Sequence, residues 1–130
     1  MFTNINDVEQ PTIRVFVTTH KNVDFPESRI LQPVQVGVKL GSTRFTWARQ
    51  DDEGDNISLK NPMYCELTTQ YWAWKNVDTE YYGFCHYRRY FNFSSTVYEE
   101  NPYGEIMDDY IDADAVAKYG LDDRTITDAV

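Results

Sequence analysis

The sequence predicts an α/β domain, and three observations carry the prediction. Two apolar, β-rich runs read as strands, residues 13–18 as a buried one and residues 81–86 as a central one. Between them residues 62–76 carry an amphipathic helical pattern. A strand, a helix and a strand in that order make a βαβ-type unit.

Residues 1–11 are polar, end in Pro11 and read as a leader, with the domain running from 12 to 130. Ile13 to Thr18 is a strand that runs into the polar cluster Thr18-Thr19-His20-Lys21. Residues 22–33 hold Pro26 and Pro33 without a clear period and read as loop with a short helical turn. Val34 to Val38 alternates and reads as a second strand. Residues 49–61 are a polar connection in which Gly54 permits a tight turn. Asn61-Pro62 is a helix start, with Asn as the cap and Pro at the first helical position.

Within residues 62–76, Leu67, Tyr71 and Trp74 share one helical face, which Cys65 and Trp72 widen. Lys75 and Asn76 suit its C-terminus. Tyr81 to His86 reads as a central strand. A weaker helical pattern spans Ile111–Tyr119, with Asp108 and Asp109 as caps, and another element can start at Thr125. The chain stops at Val130 without a turn or polar terminus, the pattern expected of the N-terminal portion of a longer domain.

The 130 residues fit one core, with a hydrophobic share of 42%. Ten Tyr, seven Phe and three Trp suit sugar or nucleobase binding, and they suit a core or an interface equally well. Of the net charge of −9, most lies in residues 98–130, with ten acids against Lys118 and Arg124. That tail reads as a solvated surface, and the lack of a basic face excludes duplex nucleic acid as a partner. Cys65 and Cys85 sit in apolar stretches and read as buried, reduced thiols. No signal peptide or membrane span is legible, so a cytoplasmic place is expected, with peripheral attachment to the inner membrane open.

Three clusters can carry chemistry. His86-Tyr87-Arg88-Arg89-Tyr90-Phe91 follows a strand directly, at the carboxyl edge where open α/β sheets bind ligands. An extended backbone there would turn His86, Arg88 and Tyr90 one way and Arg89 the other. One arginine can clamp a phosphate while the other pairs with an internal carboxylate, or both can pair with the surplus acids; composition favours neither. Asp51 to Ser58 offers Asp55, Asn56 and Ser58 ahead of the helix. It lacks the acidic twelfth position of a calcium loop, where Pro62 stands, and a capping turn is the simpler reading. Thr18, Thr19 and His20 stand where a nucleotide would lie. Dinucleotide-binding and P-loop signatures are both missing, and two histidines support no nucleophilic triad.

The phrases Phe16-Val17-Thr18-Thr19-His20-Lys21, Gly54-Asp55-Asn56-Ile57-Ser58, Asn61-Pro62-Met63-Tyr64-Cys65-Glu66-Leu67-Thr68, Tyr71-Trp72-Ala73-Trp74-Lys75-Asn76 and His86-Tyr87-Arg88-Arg89-Tyr90-Phe91 resemble one bacterial family. It was long catalogued as a domain of unknown function, and its members are assigned to capsular or exopolysaccharide biosynthesis as glycosyltransferases. The resemblance covers about residues 12–95 and thins beyond them.

It implies a Rossmann-like, GT-A-type fold with a nucleotide-sugar across the carboxyl edge of the sheet. It also implies transfer of a hexosyl group, galactofuranosyl in some members, from a nucleotide-diphosphate sugar to a saccharide or lipid-linked acceptor. By position, the ligand contacts expected in such a fold are Thr18, Thr19, His20, Asp55, Asn56, His86, Arg88 and Arg89; Asp51 and Asp55 are available as the base, which can equally lie beyond residue 130. Many GT-A enzymes hold a divalent metal on an Asp-x-Asp after a central strand. Here that strand end reads His86-Tyr87-Arg88-Arg89, so fixed cations are expected in its place, with no metal cofactor. The rival expectation is a non-catalytic carbohydrate- or nucleotide-binding module. A metal-dependent phosphotransferase or nuclease is a third.

Overall fold

The computed structural model describes residues 12–130, so the expected leader lies outside the described residues. Four strands form one parallel sheet in the order β3-β2-β1-β4: β1 (Ile13–Thr19), β2 (Leu31–Gln35), β3 (Arg49–Gln50) and β4 (Tyr81–His86). The expected α/β class is present. β4, expected to be central, is an edge strand among the described residues, because only β1 pairs with it.

The second strand lies at 31–35 rather than 34–38, which puts Pro33 inside a strand. The pairing explains how. The Ile30 carbonyl and the Val36 amide bond to β1, so the intervening Pro33 faces the other flank. There β3 pairs only with Val34 and Gln35, so no ladder bond is asked of the missing N–H.

Alternation along β1 supplies two cores. Phe16 faces Val34, Trp72, Ala73 and Val77, while Val15 and Val17 face Leu31, Tyr87, Ala115, Tyr119, Leu121 and Ile126. The first core is sealed by α2 (Leu67–Asn76), the second by the C-terminal segment with α3 (Ala113–Tyr119) and α4 (Asp123–Ala129). Trp72 is fully buried, edge-on to Phe16 at 6.1 Å between ring centroids. Truncating it to Ala would cost about 3–5 kcal/mol.

The single helix expected over 62–76 is two. α1 (Asn61–Tyr64) stops at Cys65, whose φ of 48° is left-handed, and α2 begins at Leu67. The Asn61 side chain holds the break together, donating to the Cys65 carbonyl at 3.0 Å and to the Thr68 hydroxyl at 3.1 Å. The break rotates the helix. Leu67 and Trp74, expected on the apolar face of the helix, are 50% and 66% exposed, and α2 instead buries Thr68, Thr69, Trp72 and Ala73. Small residues at 69 and 73 let the helix come close to the sheet, and Trp72 then fills the space beside Phe16.

Cys65 is exposed, against expectation, because it sits on that break; Cys85 is half-buried. Both thiols are free, and burial pushes the Cys85 thiol up to about 12. The caps of the C-terminal helices also differ from expectation. Asp112, rather than Asp108 or Asp109, caps α3 by accepting from the Ala115 amide, and Asp122 caps α4 through the Thr125 amide. α4 thus starts two residues ahead of the expected element. The acidic tail is not all solvated surface. Asp123 accepts from the Arg29 amide at 2.8 Å, from its guanidinium at 3.0 Å and from the Ser28 hydroxyl, clamping α4 to the entry of β2.

Candidate functional site at the carboxyl edge of the sheet

A wholly parallel sheet sends every strand end to one edge, and there the fold gathers the polar clusters of the sequence. Thr19-His20 ends β1, Gln35 ends β2, Gln50-Asp51 ends β3, and His86-Tyr87-Arg88-Arg89 ends β4.

His20 and His86, 66 residues apart in sequence, lie with ring centroids 6.2 Å apart, and Tyr87 packs against both at 5.3 and 4.4 Å. The backbone after β4 does not stay extended as expected. It turns tightly: the Arg89 amide donates to the His86 carbonyl at 2.8 Å, and the His86 amide donates to the Arg89 carbonyl at 3.3 Å. The turn points the Arg88 amide at Nδ1 of His86, at 3.3 Å. A neutral His86 therefore carries its proton on Nε2. Burial holds the His86 pKa below the usual histidine value. Glu66 opposes that shift, while Arg88, His20 and Arg89 reinforce it.

Arg88 and Arg89 are exposed, and neither guanidinium forms an ion pair or side-chain hydrogen bond with any described residue. Arg88 lies 5.4 Å from the centre of the Tyr87 ring. Among the described residues, neither the pairing of one arginine with an internal carboxylate nor that of both with the surplus acids is seen.

The other candidates are placed differently. Thr18 is buried and donates to the Thr69 hydroxyl at 2.8 Å, strapping β1 to α2. Thr19 is fully buried; its hydroxyl donates to the Lys21 carbonyl and accepts from the Lys21 amide, forming the turn that presents His20. Asp51 is fully buried and accepts from the Gly37 amide at 2.8 Å, the Val38 amide at 3.2 Å and the Ser58 hydroxyl at 2.7 Å. Asn56 donates to the Asp52 and Gly54 carbonyls and accepts from the Ser58 amide. Asp55 is open to solvent and accepts from the Tyr71 hydroxyl at 2.8 Å. Gly54 makes the expected turn at φ 65°, and a Cβ there would lie 2.1 Å from the Asn76 side-chain oxygen.

Sequence reasoning misses Glu66 and Tyr87 as neighbours of the histidines. Tyr87 is visible in the strand-end phrase. Glu66, whose charge acts on His86, stands at the helix break beside Cys65, and no glycine or proline marks that break. Among the described residues no three His, Cys, Asp or Glu side chains converge as a metal would require. No helix of the described residues is long and apolar enough to cross a membrane.

The family model described as a domain of unknown function, DUF4422, matches residues 14–128. The chain belongs to the DUF4422 family. The match reaches well past residue 95, where the resemblance read from the sequence thins. Among solved structures the DUF4422 chain is similar to the bifunctional glycosyltransferase WbbM in its apo form. The TM-score is 0.86 at 38% identity, over 92% of this chain and 21% of that one. The chain thus spans about a fifth of the length of that enzyme. No protein with a curated description matches it. Family and neighbour together make this a glycosyltransferase-related α/β domain.

Proposed function

We propose that the chain is the donor-binding part of a GT-A-type glycosyltransferase, taking a nucleotide-diphosphate sugar across the carboxyl edge of its sheet. One observation carries the reading. In a chain of net charge −9, two adjacent guanidinium groups at the tip of β4 stay without a carboxylate partner among the described residues. A diphosphate supplies that partner, and bidentate N–H···O bonds from Arg88 and Arg89 would balance the charge that develops on it as the sugar departs. His86 adds an Nε2–H donor and His20 a second imidazole beside it.

This tip does not fit a divalent cation. Its side chains are His86, Arg88 and Arg89, with Glu66 the acid that acts on His86, and hard cations call for several oxygen ligands. Of the two carboxylates the sequence nominates as bases, Asp51 is enclosed and fully engaged, and Asp55 is the one a ligand can reach. The reaction would be hexosyl transfer to a saccharide or lipid-linked acceptor in capsular or exopolysaccharide biosynthesis. The similarity to WbbM supports the reaction class.

Isothermal titration with UDP-, GDP- and dTDP-hexoses tests the donor role. At least one binds, and Arg88→Ala and Arg89→Ala each weaken it about tenfold or more, the loss of a charge-assisted hydrogen bond. Binding that ignores both substitutions, or that requires manganese, defeats the reading. A sugar-transfer assay on the full-length protein separates an enzyme from a binding module.

A further inference from the structure

A pocket lies beside the cationic tip, joined to it by Phe25, whose ring centre is 6.3 Å from that of Tyr90, the residue after Arg89. It is an open depression of about 560 Å³, within the range of small-molecule sites, between the segment after β1 and the loop before β3. Phe25, Leu31 and Trp47 give its apolar wall, and Asn22, Asp24 and Glu27 its polar side. Neither lysine, arginine nor histidine lines it.

The aromatic wall is held rigidly. Trp47 stacks on Phe45 at 5.6 Å with the rings 1° from parallel, and lies 5.9 Å from Phe25. Its indole N–H donates to the Asn22 side-chain oxygen at 3.0 Å, tying the two sides of the pocket together. Two buried glutamines brace the loop from behind. Gln35 donates to the Thr43 carbonyl at 2.8 Å and accepts from the Phe45 amide at 2.7 Å. Gln50 donates to the Phe45 and Ala48 carbonyls at 3.0 and 3.1 Å. Nothing in the sheet's own packing needs Trp47, which remains 37% exposed. Asp24 and Glu27 are exposed and form no ion pair or side-chain hydrogen bond among the described residues.

We propose that this pocket binds an uncharged saccharide, through the Phe25–Trp47 wall and the carboxylates of Asp24 and Glu27, and that it is the acceptor subsite. Sugar C–H faces pack against aromatic rings, and carboxylates accept strongly from sugar hydroxyls. Two acids without a base repel a phosphate, so the pocket rejects the nucleotide that the β4 tip attracts. The saccharide assignment stands on the pocket; the acceptor role rests also on the glycosyltransferase reading.

The test uses the chain as it is. The indole N–H signal of Trp47 is followed by NMR during titration with methyl glycosides of galactose, glucose and mannose, and separately with UDP and GDP. At least one glycoside shifts the Trp47 signal. The double variant Asp24→Asn/Glu27→Gln, at two exposed positions that brace nothing, weakens that binding about tenfold. Trp47→Phe, read by other pocket resonances, also weakens it, while nucleotide affinity stays within about twofold of the parent in both, since neither touches the β4 tip.

Three results overturn the proposal: no glycoside shifts Trp47, the carboxamide variant binds as the parent does, or a nucleoside diphosphate moves Trp47 directly. If glycosides bind as expected and no nucleotide binds anywhere, the saccharide pocket stands and the transferase reading falls.

Discussion

Replacing Asp51 by Asn separates a structural carboxylate from a catalytic one. The Asp51 carboxylate accepts from Val38 N and Ser58 Oγ on one oxygen and from Gly37 N on the other, with the residue fully buried. An amide has one acceptor oxygen. Whichever way the substituted carboxamide were turned, its NH₂ would face a backbone N–H, of Gly37 or of Val38, and orphan it. An unsatisfied buried donor plus the lost charge assistance costs about 2–3 kcal/mol. For a domain of this size that lowers Tm by about 6–12 °C. A thermal melt followed by circular dichroism reads it, and nucleotide-sugar binding measured below the transition stays near the parent value. If Asp51→Asn melts within about 2 °C of the parent while transfer activity of the full-length protein is abolished, the hydrogen-bond reasoning is wrong and Asp51 is the base.

The remaining predictions concern straps and titrations. Thr18→Val removes the hydroxyl bond to Thr69 and lowers stability by about 1–2 kcal/mol in urea unfolding, with nucleotide affinity unchanged; a loss of affinity at unchanged stability would instead make Thr18 a ligand group. Because the folded-state pKa of His86 lies below the unfolded value of 6.5, the unfolded chain binds more protons just below that pH. Stability contributed by His86 is therefore complete above pH 6.5 and is lost as pH falls through the lower folded pKa. His86→Gln flattens that part of the stability–pH curve, and an unchanged curve would refute the assignment. At Asp123, burial alone raises the pKa, but the bonds from Ser28, Arg29 and Ile30 together hold it below the ordinary aspartate value of 3.8. Its contribution is present above pH 3.8 and lost as pH falls below it. Asp123→Asn lowers stability at neutral pH, and hydrogen exchange in α4 accelerates if the clamp is what holds that helix.

What is legible in the sequence divides by range of interaction. β1 and β4 are visible because each is a continuous apolar, β-rich run, although only β1 is buried and β4 leaves Tyr81 and Tyr82 exposed, and the carboxyl-edge location of the His86 phrase follows from strand direction alone. β2 lies three residues from its expected place because Pro33 argues against a strand unless the flank it faces is known, and that flank depends on how short β3 is. The buried face of α2 differs from the expected one for a related reason. Leu67, Tyr71 and Trp74 match a helical period as well as Thr69, Trp72 and Ala73 do. Choosing between the faces takes the φ of Cys65 and the close approach of the sheet, both tertiary facts. At the site, residue types are readable but partners are not. Thr18, Thr19, Asp51 and Asn56 carry groups fit for a ligand, and only the fold shows those groups engaged by Thr69, Lys21, Ser58 and backbone amides and carbonyls.

These engaged groups nonetheless bear on ligand binding, through where they lie. The apolar core occupies the middle of the sheet, around Phe16, Val17, Val34 and Trp72. The buried polar residues Thr18, Thr19, Gln35, Gln50, Asp51, Ser58, Thr68 and Thr69 gather instead at the strand ends, in the connection before α1 and on the first turn of α2. Burying eight polar side chains is unfavourable unless each finds partners, and apolar residues of similar size would serve cohesion better. Their bonds run to loop backbone at Lys21, Gly37, Val38, Thr43, Phe45, Ala48 and Cys65. Loops need directional constraints because they have little apolar surface to bury. A hydrogen-bonded layer fixes their geometry where hydrophobic packing cannot, and a preorganised rim spares a ligand the entropy of ordering it. Exposed Arg88 and Arg89 stand on the edge of this fixed layer rather than within it. They can move to meet a diphosphate while the surface beneath them stays in place.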